Sequence, residues 1–119
     1  MTIKPQSAKA KGRNFQQTVR DKILEVYQGY LEPDDVRSTS MGAGGEDLQL
    51  SPAARKALKG TQWECKARKS FAFYKDYEQA KTHGKGEPVL VVKGDRKKPM
   101  AIIDLDFFLG LLYSQYKQS

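Results

Sequence analysis

Cysteine and histidine are nearly absent from this chain: 119 residues carry one of each, Cys65 and His83. A lone thiol forms no internal disulfide and excludes a cysteine-based zinc centre. Nucleophilic catalysis of the serine–histidine or cysteine–histidine kind would have to run through His83. Its setting, His83-Gly84-Lys85-Gly86, reads instead as an exposed turn. Long apolar runs are missing too. No stretch approaches the roughly 18 residues of a membrane span, and the N-terminus lacks a signal-peptide core, so an intracellular, cytoplasmic location is expected. Nor does any segment join a strong apolar face to a basic one, which argues against a membrane-surface helix.

Positive charge is what the chain has in excess. Lys and Arg number 21 against 14 Asp and Glu, giving a net charge of +7 and a pI of about 9.5. That balance suits a polyanionic partner, because each Lys or Arg that neutralises a phosphate releases condensed counterions. Apolar residues make up 39% and charged residues 29%. The length fits one domain with a thin core, a size at which dimerisation commonly adds stability.

Patterning divides the chain into a flexible basic arm over residues 1–11 and a single domain over 12–119. Phe15, Val19, Ile23, Val26, Tyr27 and Tyr30 recur at three- and four-residue steps, which predicts an amphipathic helix over 13–30. Glu32-Pro33-Asp34-Asp35 breaks it. A short strand over 36–39 follows, then a loop at Ser40-Met41-Gly42-Ala43-Gly44-Gly45, whose three glycines in four positions suit neither helix nor strand. Residues 47–50 alternate polar and apolar as a half-buried strand does. Ser51-Pro52 then starts a short helix that stops before Gly60. Further strands are expected over 62–68, 89–92 and 99–103, with helices over 71–82 and 104–116. The Val89–Val92 run reads as a central strand. The order describes an α/β protein, a central mixed sheet flanked by helices.

The chemistry gathers around Glu64-Cys65-Lys66. Side chains alternate along a strand, so Glu64 and Lys66 share one face while Trp63 and Cys65 take the other. For an isolated pair of this kind a surface ion pair is the ordinary explanation. Asp47, at the start of a strand just after the glycine-rich loop, changes the context. Asp47 and Glu64 on neighbouring strands can converge on one divalent cation, and the Cys65 backbone carbonyl can complete the set. Mg²⁺ takes one or two carboxylates with waters and substrate phosphate. Lys66 then suits the charge developing at a phosphate under attack.

In order and spacing these segments resemble the PD-(D/E)xK nuclease superfamily, and within it the archaeal-type Holliday-junction resolvases and their phage relatives. Lys11-Gly12-Arg13-Asn14-Phe15-Gln16-Gln17 resembles the K-G-x-x-x-E opening of the first helix, with Gln16 or Gln17 where the family has a glutamate. Arg37-Ser38-Thr39-Ser40-Met41-Gly42 resembles the R-x-x-x-S-G strand and loop. Glu46-Asp47-Leu48 stands where the family has P-D-I, and Trp63-Glu64-Cys65-Lys66 where it has I-E-x-K. Tyr77-Glu78-Gln79-Ala80 resembles the glutamine-bearing helix after the motif.

The resemblance implies a restriction-endonuclease-like core and a Mg²⁺-dependent endodeoxyribonuclease (Mn²⁺ as the other ion) selective for branched DNA such as four-way junctions. Asp47, Glu64 and Lys66 would be catalytic, with Gln16 or Gln17 as an auxiliary neutral ligand or water-positioning group. Lys9, Lys11, Arg13, Arg37, Ser38, Ser40, Arg68 and Lys69 are the candidates for backbone phosphate contacts. Phe71, Phe73, Tyr74 and Tyr77 have the spacing of core or dimer packing rather than of base stacking. The last helix, with Phe107, Phe108, Leu111, Leu112, Tyr113 and Tyr116, is apolar on more than one face and is the expected surface of a homodimer. A less selective nicking or restriction-like nuclease, and a DNA-binding module on a weakened nuclease fold, are the alternatives.

Overall fold

A computed structural model describes residues 8–39 and 45–118 of the chain, apart from the Tyr116 side chain. The expected loop at 40–44, with Ser40, and the first seven residues of the expected arm lie outside the described residues.

Helix α1 spans Ala8–Val26 and buries Phe15, Gln16, Val19 and Ile23, four residues at helical spacing. It starts earlier than expected, so Lys9 and Lys11 belong to its first turns rather than to an arm. It also stops four residues short of Tyr30. Gly29 takes a positive φ of 90°, and the Tyr27 carbonyl accepts from both Tyr30 and Leu31, closing a turn. The turn frees Leu31 to enter the core while Tyr30 stays exposed.

After a short 3₁₀ turn at Pro33–Asp35, β1 (Val36–Ser38) pairs antiparallel with β2 (Leu48–Leu50), setting Val36 opposite Leu50 and Ser38 opposite Leu48. Arg20 of α1 holds this ribbon, donating from Nε to the Val36 carbonyl at 2.6 Å and from Nη2 to Pro33 at 2.8 Å. Helix α2 (Pro52–Ala57) begins as its sequence predicts. Ser51 accepts from the Ala54 N–H at its N-cap, Pro52 takes the first turn, and Gly60 leaves with φ 71°.

Strand β3 (Thr61–Ala67) runs parallel to β4 (Glu87–Lys93), with α3 (Phe73–Lys81) as the crossover. Strand β5 (Met100–Ile102) pairs antiparallel on the far side of β4, and α4 (Leu105–Gln118) closes the chain. The central position expected for Val89–Val92 holds: the run Pro88–Val92 of β4 is buried throughout. The protein is therefore α/β with a mixed three-stranded sheet. The strands do not form one continuous sheet, however. β1 and β2 make a separate ribbon, and the Asp47 N–H donates to the Trp63 carbonyl at 3.1 Å where that ribbon meets β3.

The core joins Phe15, Val19, Ile23, Leu31, Val36, Leu48, Ala54, Cys65, Val89 and Val91. Of the core or dimer packing expected for the α3 aromatics, the core alternative is not realised by Phe73 and Tyr74. Phe73 and Tyr74 are exposed, and Phe71 stacks on Phe73 with ring centroids 5.6 Å apart instead of entering the core. Leu105, Phe108, Leu109, Leu112 and Tyr113 of α4 are exposed as well. No described helix is long and apolar enough to cross a membrane.

Leu48 is fully buried beside the Asp47 segment. Leu48→Ala is expected to cost about 2–5 kcal/mol in denaturant unfolding through lost burial and a residual cavity. Tyr74→Ala, at a surface position, should stay within about 0.5 kcal/mol.

Candidate active site

Strand β3 brings the site together. Gln62, Glu64 and Lys66 alternate onto one face, while Trp63 and Cys65 turn to the apolar core, as the strand period requires. The Glu64–Lys66 pair is not the solvated surface pair that a short motif ordinarily signifies. The Glu64 side chain is only 5% exposed and that of Lys66 15%, with Lys66 Nζ 3.3 Å from Glu64 Oε1. An ionised carboxylate at that depth needs nearby positive charge to offset lost hydration.

His83 approaches the same carboxylate, its Nε2 lying 2.8 Å from Glu64 Oε2. The sequence alone predicts an exposed turn at His83. The turn is real, but it folds back over β3. Gln62 causes this: its buried amide donates to the carbonyls of Ala80 (3.0 Å) and Gly84 (3.4 Å), and its Oε1 accepts from the Gly86 N–H at 2.9 Å. A Cβ on Gly84 would meet Gln62 Oε1 at 2.6 Å, and one on Gly86 would meet the Gly60 carbonyl at the same distance. The two glycines let the turn press onto the strand, and the only available hint was their flanking of the one histidine. Despite the short approach of His83, Glu64 Oε2 is buried without a hydrogen bond.

Asp47 reaches the same strand from its outer edge. Besides the backbone bond to Trp63, its Oδ2 accepts from the Cys65 N–H at 2.7 Å. A strand residue sends its N–H and C=O to one edge, so the Cys65 carbonyl also turns toward the Asp47 side. Burial pushes the Asp47 carboxyl up to about 6, the Cys65 N–H opposes this, Glu64 adds to it, and Lys66 and His83 counter it. Burial also drives the Cys65 thiol well above its ordinary range, which keeps it a protonated core residue and not a nucleophile.

The glutamine candidates separate cleanly. Gln16 is buried and accepts from Ser38 Oγ at 2.7 Å, tying α1 to β1, whereas Gln17 faces solvent. Glu46, next to Asp47, pairs with Arg55 at 3.3 Å, and its Oε1 lies near Gly84 of the turn that carries His83.

Of the expected phosphate-contacting residues, Lys11 and Lys69 both lie near Asp95. Lys9, Arg13 and Lys69 are exposed. Arg37 pairs with Asp34 at 3.3 Å on the surface, and Arg68 with the buried Asp76 at 3.2 Å. Lys11 donates to Asp95 at 2.6 Å. That bond and the Lys11 charge, helped by Lys93 and Lys69, hold the Asp95 carboxyl below its usual range despite some desolvation. The basic turn 94–98 thus lies beside Lys11 and Lys69.

Comparison of the chain with protein-family models, with curated proteins and with solved structures finds no match. Among the described residues no group of three or more His, Cys, Asp and Glu side chains stands ready to hold a metal ion. Mg²⁺ does not need such a cage, since it keeps waters and takes one or two carboxylates. Asp47, and Glu64 with its unbonded Oε2, fit that modest requirement.

Asp47 titrates from 3.8 unfolded to about 6 folded, so the fold favours its protonated form. Its contribution is most favourable below about pH 4, falls as pH rises through 6, and is level above. Asp47→Asn keeps an acceptor for Cys65 while removing the charge. Thermal unfolding should show this variant more stable than wild type at pH 8, by on the order of 1–2 kcal/mol after allowing for partial exposure, with no advantage near pH 4.

Proposed function

We propose that this protein is a divalent-cation-dependent DNA endonuclease of the PD-(D/E)xK kind, with a restriction-endonuclease-like core, selective for branched substrates such as four-way junctions. The observation that carries the reading is the buried Glu64 carboxylate, flanked by Lys66 on its own strand face and by Asp47 at the strand edge. Burying two carboxylates and an ammonium together costs stability, and that expense is commonest where charge is used.

Asp47 and Glu64 are the groups that would hold Mg²⁺ or Mn²⁺, with the Cys65 carbonyl turned to the same edge. When bound, the ion supplies a more acidic water and offsets charge on the scissile phosphate. The chain's own residues do the rest. Lys66, tethered by Glu64, presents a fixed ammonium to the negative charge that builds on phosphorus-bound oxygens. Gln16 braces α1 against β1 through Ser38, which keeps the ribbon bearing Asp47 in register with β3. Lys11, Lys69, Lys93 and the turn 94–98 offer positive charge to a DNA backbone.

The preference for a branched substrate follows from a proposed homodimer through the exposed apolar side chains of α4. Two-fold symmetry presents two sites to two strands of a junction. Labelled four-way junction and linear duplex of the same sequence, incubated with Mg²⁺ or Mn²⁺, test the reading. Paired cuts in the junction, at a rate at least about tenfold above that for the linear duplex, are expected, with Lys66→Ala binding but cutting at least about 100-fold more slowly. Equal cutting of both substrates would mark a less selective nuclease. Salt-sensitive binding with no cutting by wild type would leave only a DNA-binding module.

A further inference from the structure

We infer that His83 Nε2 and Glu64 Oε2 together seat a cation whose remaining positions are filled by water, so that this pair takes an imidazole-accepting transition ion more tightly than Mg²⁺. The inference rests on the cation-dependent reading above. Its warrant is the geometry of two atoms. His83 Nε2 and Glu64 Oε2 stand 2.8 Å apart, yet Oε2 is buried without a hydrogen bond. A histidine serving only as a charge partner would aim its N–H at that oxygen. Two ligands at right angles on an octahedral ion at about 2.1 Å lie roughly 3 Å apart, close to the spacing seen here.

The approach is built in and does not depend on a free side chain. Gln62, two residues before Glu64 on the same strand face, holds the backbone on both sides of His83 through Ala80, Gly84 and Gly86. The same strand therefore positions both the carboxylate and the imidazole. Lys66 stays on the other oxygen, Oε1, and leaves Oε2 for the pair. Imidazole is a good ligand for Co²⁺, Ni²⁺ and Zn²⁺, while Mg²⁺ is served by oxygen alone. Removing His83 should then penalise the two kinds of ion unequally.

The chain's single histidine makes the test clean. Calorimetry on the full chain would give Co²⁺ and Mg²⁺ affinities for wild type, His83→Ala and Glu64→Gln, and proton NMR of the Co²⁺ form would report the one imidazole ring. Expected are hyperfine-shifted ring signals in wild type and at least about a tenfold loss of Co²⁺ affinity in His83→Ala, with a much smaller loss for Mg²⁺. Thermal unfolding checks that this variant remains folded. Co²⁺ binding that Glu64→Gln abolishes and His83→Ala leaves intact would overturn the inference while the cation-dependent reading stands. Equal losses for both ions in His83→Ala would overturn it too, since His83 would then only shape the site. Wild type binding neither ion would overturn the inference and the cation-dependent reading together.

Discussion

The attachment of Asp47 to the outer edge of β3 is the constraint on which the rest of the site depends. Its backbone N–H reaches the Trp63 carbonyl and its carboxylate reaches the Cys65 N–H. One residue thus satisfies two successive groups of an otherwise open strand edge, where unpaired backbone would be a liability. The same two bonds set an acidic group beside Glu64. They couple a structural need to a chemical one: the carboxylate that finishes the edge is partly desolvated, its pKa rises, and like charge from Glu64 adds to the rise.

Two basic side chains meet this accumulation from different directions. Lys66 comes from the strand itself and His83 from the turn after α3. Lys66 is tethered by Glu64 itself, whereas His83 is held through Gln62, whose buried amide is satisfied on three sides by the segment that carries it. Because a buried amide costs little only when its donors and acceptors are all met, the Gln62 network fixes the turn more firmly than surface charge could.

Much of this was legible in the residues. The two-residue period of β3 places Glu64 with Lys66 and sends Cys65 inward, and Ser51-Pro52 with Gly60 bounds α2, because those signals are local. The burial of Glu64 was not legible, since it comes from elements far along the chain closing over one strand. His83 was read as exposed for the same reason: its Lys and Gly neighbours do form a turn, but which surface a turn lies against is a tertiary fact. The helix start at Ala8 was missed because the early residues lack apolar periodicity. For Phe73 and Tyr74, helical spacing alone does not tell a core-facing stripe from an exposed one. The split between ribbon and sheet depends on strand pairing over long separations, which periodicity does not carry.

On the proposed function, the Glu64 charge, and not its shape, drives phosphodiester cleavage. Glu64→Gln alters that charge and almost nothing of the volume. Single-turnover cleavage of labelled four-way junction in Mg²⁺ should fall at least about 100-fold in this variant, while its thermal midpoint stays at or above that of wild type. A folded Glu64→Gln protein that cuts the junction as fast as wild type would rule out a catalytic role for the Glu64 charge.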